Sequence, residues 1–105
     1  MNPGKVIRSK VVNLTDLPNV GKAAAADLQL IGVRQPSDLI GQCPLDMYRR
    51  LCEETGATHD PCVIDVFMSI TRFMEGGDAS VWWDFTAERK RMMGSAPTHA
   101  TREGC

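Results

Sequence analysis

Leu17-Pro18-Asn19-Val20-Gly21, followed at once by Lys22 and the alanines Ala23 to Ala26, is the stretch of this chain with the clearest chemistry. It reads as a tight turn that hands over to a strong helix and aims backbone amides outward. Pro18 sets its own φ and stops the preceding residues from continuing as helix. Gly21 supplies a positive or otherwise awkward φ at little steric cost and lets another backbone come close. Asn19 stands where the usual Pro-Gly-apolar-Gly hairpin has its first glycine, and asparagine tolerates the left-handed region better than most residues. The amides that open the new helix lack intrahelical acceptors and carry the positive end of its dipole, so a phosphate oxygen fits there. The expected nucleic-acid contacts are Asn19, Val20, Gly21, Lys22 and Ala23, with Lys10 assisting. Small side chains at Ala23, Ala24 and Ala25 let a duplex backbone approach, and such contacts read no base edge. The plainer alternative is that Leu17, Val20 and Leu28 are core and the hairpin is only an interhelical turn.

Thiol chemistry is the second possibility. Cys62 falls in the first turn after Pro61, where amides and dipole stabilise a thiolate, and His59 lies just before it, so the pair is a candidate reactive site. The competing reading is a buried, inert cysteine. Cys43, Cys52, His59 and Cys62 contain no Cys-x-x-Cys pair, which argues against a zinc site. No metal or cofactor is expected. With no electrophile-binding pocket legible, neither is an enzyme.

Composition frames these motifs. At 105 residues, 43% hydrophobic and 24% charged, the chain suffices for one compact domain. It has no run of about 20 apolar residues and its first ten lack a secretion core, so a cytoplasmic protein with no membrane contact is expected. The net charge of −1 argues against a dedicated high-affinity nucleic-acid binder. The distribution is uneven, however. Residues 1 to 50 hold seven Lys and Arg against four Asp and Glu, and residues 51 to 105 hold five against nine. Lys5, Arg8, Lys10 and Lys22 make one end basic, while Glu53, Glu54, Asp60 and Asp65 repel phosphate elsewhere. Weak, salt-sensitive binding follows.

The elements that must position these residues are helical. A short helix is expected over Ser9 to Leu17, and a second from Lys22 to about Leu30, stopped by Gly32. Ser37 is expected to cap a turn over Asp38 to Ile40. Pro44 marks a first helical residue, with Leu45, Tyr48, Leu51 and Cys52 at helical spacing up to Gly56. Asp60-Pro61 repeats that signal before the stripe Val63, Phe67, Ile70 and Met74, which ends at Gly76-Gly77. Two helix pairs joined by a connector give an all-α, pseudo-duplicated helix-hairpin-helix domain of about five helices over residues 1–93. Its second, degenerate hairpin is expected between Cys52 and Val63. A short C-terminal aromatic and helical extension holds Trp82 and Trp83, which cannot both face the same way, so one stays partly exposed. Thr86 is expected to cap a last turn. Residues 94–105 have no apolar period and read as a disordered tail.

From about Val11 to Lys90 the chain resembles the small bacterial "pathogenicity locus" family of helix-hairpin-helix proteins, some of them known as mitomycin-resistance proteins. The resemblance lies in Leu17-Pro18-Asn19-Val20-Gly21, in Leu51-Cys52 with Thr55-Gly56, in His59-Asp60-Pro61-Cys62, and in Trp82-Trp83-Asp84-Phe85-Thr86-Ala87-Glu88-Arg89-Lys90. It implies DNA binding through the hairpin and carries over no established activity. Two function classes stay open: a nonenzymatic, sequence-nonspecific DNA-binding module, and a protein-interaction scaffold using the Trp82-Trp83 segment or the acidic half. A thiol or redox protein centred on Cys62 is a third. A base-flipping glycosylase needs a larger domain than this length allows.

Overall fold

Asp16 and Asp38 set the two places where the chain turns without forming a regular helix. In the computed structural model, which describes residues 6–95, the Asp16 carboxylate accepts from the amides of Val12 (3.0 Å) and Asn13 (2.8 Å). A side chain that takes these amides competes with helix, and β-branched Val11 and Val12 add to the cost. The expected helix over Ser9 to Leu17 is therefore absent, replaced by single 3-10 turns at Arg8–Lys10 and Leu14–Asp16. Asp38 acts in the same way on Arg34 (3.0 Å) and Gln35 (3.3 Å), and the turn there covers Pro36–Leu39 rather than starting after Ser37.

Four α-helices stand among the described residues, with no strand: α1 (Lys22–Leu30), α2 (Pro44–Thr55), α3 (Cys62–Met74) and α4 (Thr86–Ser95). The described residues are all-α: of the five helices expected, three form as α1, α2 and α3, the other two are 3-10 turns, and α4 lies in the expected C-terminal extension. α1 begins and ends where the alanine run and Gly32 place it. α2 opens on Pro44 at its first position and closes at Gly56, whose φ of 64° lets the Ala57 amide reach back to the Cys52 carbonyl at 3.2 Å. That bond is the signature of a left-handed glycine cap. α3 starts one residue after Pro61, with Asp60 Oδ1 accepting from the Cys62 amide at 2.8 Å.

α3 is the centre of the fold. Its buried residues, Ile64, Asp65, Phe67, Met68, Ser69, Ile70, Thr71 and Phe73, face several directions, so it must be covered on most of its circumference. α2, the Pro36–Leu39 turn, the 3-10 turn Trp82–Phe85 and α4 all pack on it. Phe67, Ile70 and Phe73 meet Leu14, Leu17, Val20, Leu28, Val33, Leu39, Met47 and Leu51 in the larger cluster. Ile64 and Met68 join Leu45 in a smaller one, with Phe85 and Tyr48 at its edge.

The last helix is held by charge as well as packing. Asp65, fully buried, accepts from Arg89 Nε at 2.9 Å and from the Thr86 hydroxyl at 2.6 Å. Thr86 is thus not the cap of a last turn. It has helical dihedrals inside a helix that continues from Trp82–Phe85, and its hydroxyl serves α3 instead. Because α4 runs to Ser95, it takes in the first two residues of the expected tail; the others, 96–105, lie outside the described residues.

Removing one member of a buried ion pair leaves the other uncompensated. Asp65→Ala is expected to lower unfolding stability by about 3 kcal/mol in urea denaturation, whereas Asp65→Leu combined with Arg89→Met recovers most of the loss. An unchanged urea midpoint for Asp65→Ala would show that α4 is not anchored in this way.

Candidate nucleic-acid interface

The turn between Asp16 and α1 is built from alternating buried and open positions. Leu17, Pro18 and Val20 are buried, while Gly21, Lys22 and Ala23 are exposed. Val20 can therefore offer a ligand only its backbone. Asn19 takes φ = 65°, the left-handed conformation expected for the residue in place of the first glycine. Its side chain points into the protein, where Nδ2 donates to Ser69 Oγ (3.0 Å) on α3 and to the Ser80 carbonyl (2.7 Å). The carboxamide fastens the turn to the core and leaves the outer face clear.

Gly21 departs from expectation. Its φ of −96° and ψ of −168° are extended backbone that any residue adopts, and a Cβ built there meets no atom within 4 Å. The conformational demand rests on Asn19 instead, and what glycine preserves at 21 is open space beside the helix end. The first helical bond of α1 runs from the Ala25 amide to the Gly21 carbonyl at 2.9 Å. The amides of Lys22, Ala23 and Ala24 precede it, and this end has no side-chain cap and no acidic residue in its first turn. Lys22 is exposed beside them, and Lys10 is exposed on the Arg8–Lys10 turn. The arrangement presents outward amides, dipole and one mobile cation to a single anion.

The same backbone occurs again 22 residues further on. Asp38 matches Asp16, Leu39 matches Leu17 as a fully buried side chain, and Gly41 (φ 84°) matches Asn19. Cys43 matches Gly21 as the extended residue before a helix, and the Met47 amide donates to its carbonyl at 2.9 Å as Ala25 does to Gly21. The duplicated turn thus lies at 39–43, not between Cys52 and Val63. The signal for it was present in the sequence as Asp-Leu at 16–17 and 38–39, each followed two residues later by a residue able to adopt positive φ. The second copy is chemically different: Pro44, which has no amide hydrogen, replaces Lys22, and Asp46 replaces Ala24.

The segment from Thr55 to Cys62 is a loop with its own bonds. The Tyr48 hydroxyl donates to the His59 carbonyl, and His59 Nε2 lies 2.8 Å from Thr55 Oγ1. His59 is therefore engaged with α2. Cys62 and Cys52 are free thiols among the described residues. The Asp60 carboxylate, hydrogen-bonded to the Cys62 thiol, pushes it up from the ordinary cysteine value, and desolvation adds to the effect. A carboxylate in contact disfavours the thiolate, opposite to the direction in which the helix dipole acts. His59 thus meets Thr55, and Cys62 sits beside the Asp60 carboxylate. Among the described residues, no three His, Cys, Asp or Glu side chains stand together as metal ligands.

Trp82 and Trp83 meet edge to face, with centroids 5.4 Å apart and planes at 85°. Trp82 is half-buried and Trp83 is 59% exposed, so the two adjacent indoles divide between packing and surface.

Fold and site together define an all-α protein with two copies of an aspartate-capped turn feeding a helix. Residues 7–91 match the family described as "Pathogenicity locus", and the chain belongs to that family. It is 37% identical over 81 residues to "Mitomycin resistance protein McrB" of Streptomyces lavendulae, a match that spans 77% of each chain. No solved structure matches the chain. No helix among the described residues is long and apolar enough to cross a membrane.

Two outcomes follow from this geometry. Asn19→Ala, which loses both carboxamide bonds and strains the left-handed position, is expected to cost about 3 kcal/mol by chemical denaturation, and Asn19→Gly about half as much. Equal losses in the two variants would mean that the positive φ is not a constraint. Cys62 should alkylate with iodoacetamide at pH 8 more slowly in the folded protein than in urea. Asp60→Asn, which keeps an acceptor for the Cys62 amide but removes the charge, should speed the folded-state reaction several-fold; an unchanged rate would remove Asp60 as the cause.

Proposed function

We propose that this protein is a nonenzymatic, sequence-nonspecific nucleic-acid-binding module of the cytoplasm that grips one phosphate backbone at the α1 end of a degenerate helix-hairpin-helix turn. The observation that carries the reading is the open, uncapped start of α1. It has no acidic side chain, small residues at Ala23 and Ala24, and an exposed Lys22, whereas the matching turn ahead of α2 carries Pro44 and Asp46. The amides of Lys22, Ala23 and Ala24 take a phosphate oxygen, the backbone of Asn19, Val20 and Gly21 shapes the approach, and the ammonium groups of Lys22 and Lys10 supply attraction. Net charge of −1 keeps the interaction weak and makes it strongly dependent on salt.

Trp83, exposed to 59%, supports a second reading, a protein-interaction scaffold in which the indole is the anchor. The two readings separate by salt response and by Lys22.

Fluorescence anisotropy with labelled single-stranded, duplex and branched DNA at low and moderate salt is the direct test. Lys22→Glu is expected to weaken binding about tenfold and to flatten the salt slope by about one, while Cys62→Ser leaves both unchanged. Equal affinity for wild type and Lys22→Glu would sink the hairpin as the grip, and absence of binding at low salt would favour the protein-interaction scaffold.

A further inference from the structure

Trp83 lies on a segment that the first hairpin itself fastens. Asn19, the left-handed residue of that turn, donates through Nδ2 to the Ser80 carbonyl at 2.7 Å. Trp83 follows Ser80 by three residues, at most about 11 Å of extended chain. Its indole is 59% exposed, but its place is set: the Trp82–Phe85 turn packs on α3, and half-buried Trp82 meets the ring edge to face at 5.4 Å. The turn and α4 run on as one helix, and the exposed positions Trp83, Ala87, Lys90 and Arg91 recur at the spacing of a single face. Of the charged residues on this stretch, Glu88 is bonded to Arg72 and Arg89 to Asp65, while Asp84, Lys90 and Arg91 are the exposed ones. A ring, a small residue and two cations in a row are the parts of a single-strand platform: a π-face for a base and positive charge for the backbone. Asp84, next to the ring, repels a phosphate at that point and so favours a neutral base against the indole.

We infer that Trp83 is a base-stacking residue and that the strand it takes is unpaired DNA, held at the same time by the α1 amides; the choice of an unpaired strand rests on the backbone-gripping reading above. In a duplex every base is paired and stacked between its neighbours and shows the ring no face. A single strand, a gap or a branch point does. Stacking tolerates any base, because every base has a π-face, so the contact adds strength without reading sequence. A protein anchor, by contrast, sits in a desolvated apolar patch, and the neighbours of Trp83 on this face are small or charged. The hairpin thus holds phosphate, and the segment tied to it by Asn19 holds a base.

Two measurements test this. The chain has two tryptophans, so in Trp82→Phe the remaining indole emission belongs to Trp83. Single-stranded oligothymidylate should quench that emission saturably, and a long blunt duplex at the same nucleotide concentration should leave it nearly unchanged. In anisotropy titrations at low salt, Trp83→Ala is expected to weaken oligothymidylate binding about tenfold and to leave duplex binding within about twofold of wild type. Trp83→Phe, which keeps an aromatic face, should recover most of the loss, and Lys22→Glu should weaken both forms. Equal losses on single strand and duplex in Trp83→Ala, or a Trp83 emission that the single strand does not change, overturns the inference and returns the indole to a protein anchor. If Trp83→Ala acts on the single strand alone while Lys22→Glu acts on neither form, the α1 grip falls and the stacking contact stands. The reverse pattern removes the stacking contact and leaves the grip, and absence of binding to every form removes both. Far-UV circular dichroism verifies that each variant keeps its helices.

Discussion

Covering α3 on most of its sides is the constraint on which the other elements depend. Five of its large apolar side chains, Ile64, Phe67, Met68, Ile70 and Phe73, are 1% exposed or less. Each contributes about 1.5–3 kcal/mol when fully withdrawn from water, so no arrangement that left one face of this helix wet could compete. One helix cannot enclose another. α2 takes one side, the turn at Pro36–Leu39 a second, and the Trp82–Phe85 turn with α4 a third. The N-terminal turn and α1 then close the larger cluster through Leu14, Leu17, Val20 and Leu28.

Polar groups on α3 decide where its partners sit along it. Apolar contact is tolerant of sliding, whereas a buried donor or acceptor without its partner is costly. Asp65 is satisfied only if Thr86 and Arg89 come to it, which fixes the start of α4. Ser69 receives the Asn19 carboxamide, and the same carboxamide reaches Ser80, so the hairpin, α3 and the segment leading to Trp82 meet at one side chain. The residue that replaces a glycine in the hairpin thereby does two jobs: it adopts the left-handed backbone and it ties the turn to the core.

Duplication of the turn gives one fold two helix starts of different chemistry. The backbone scaffold is shared: an aspartate on two amides, a buried leucine, a left-handed residue two positions later, and an extended residue before the helix. The outcome differs through a few side chains. The first helix start carries Lys22 and Ala24, the second carries Pro44 and Asp46, and Glu75 supplies an acceptor for Gly41.

Local signals determined much of this protein before any folding partner was considered. The bounds of α1 and α2 followed from the alanine run, Pro44, Gly32 and Gly56, because propensity and left-handed caps act within a few residues. Left-handed Asn19, the Asp60 cap of α3 and the apolar stripe from Val63 to Met74 were legible for the same reason. One local competition that periodicity does not register, Asp16 taking the Val12 and Asn13 amides, kept Leu14 and Leu17 out of a helix. Tertiary structure decided the rest. The place of the second turn depended on backbone geometry shared by residues of different type. The direction of the Asn19 side chain and the burial of Asp65 against Arg89 depended on groups brought together across the fold. A chain sequence states what each residue can donate, accept or bury; only the folded arrangement states which partner reaches it first.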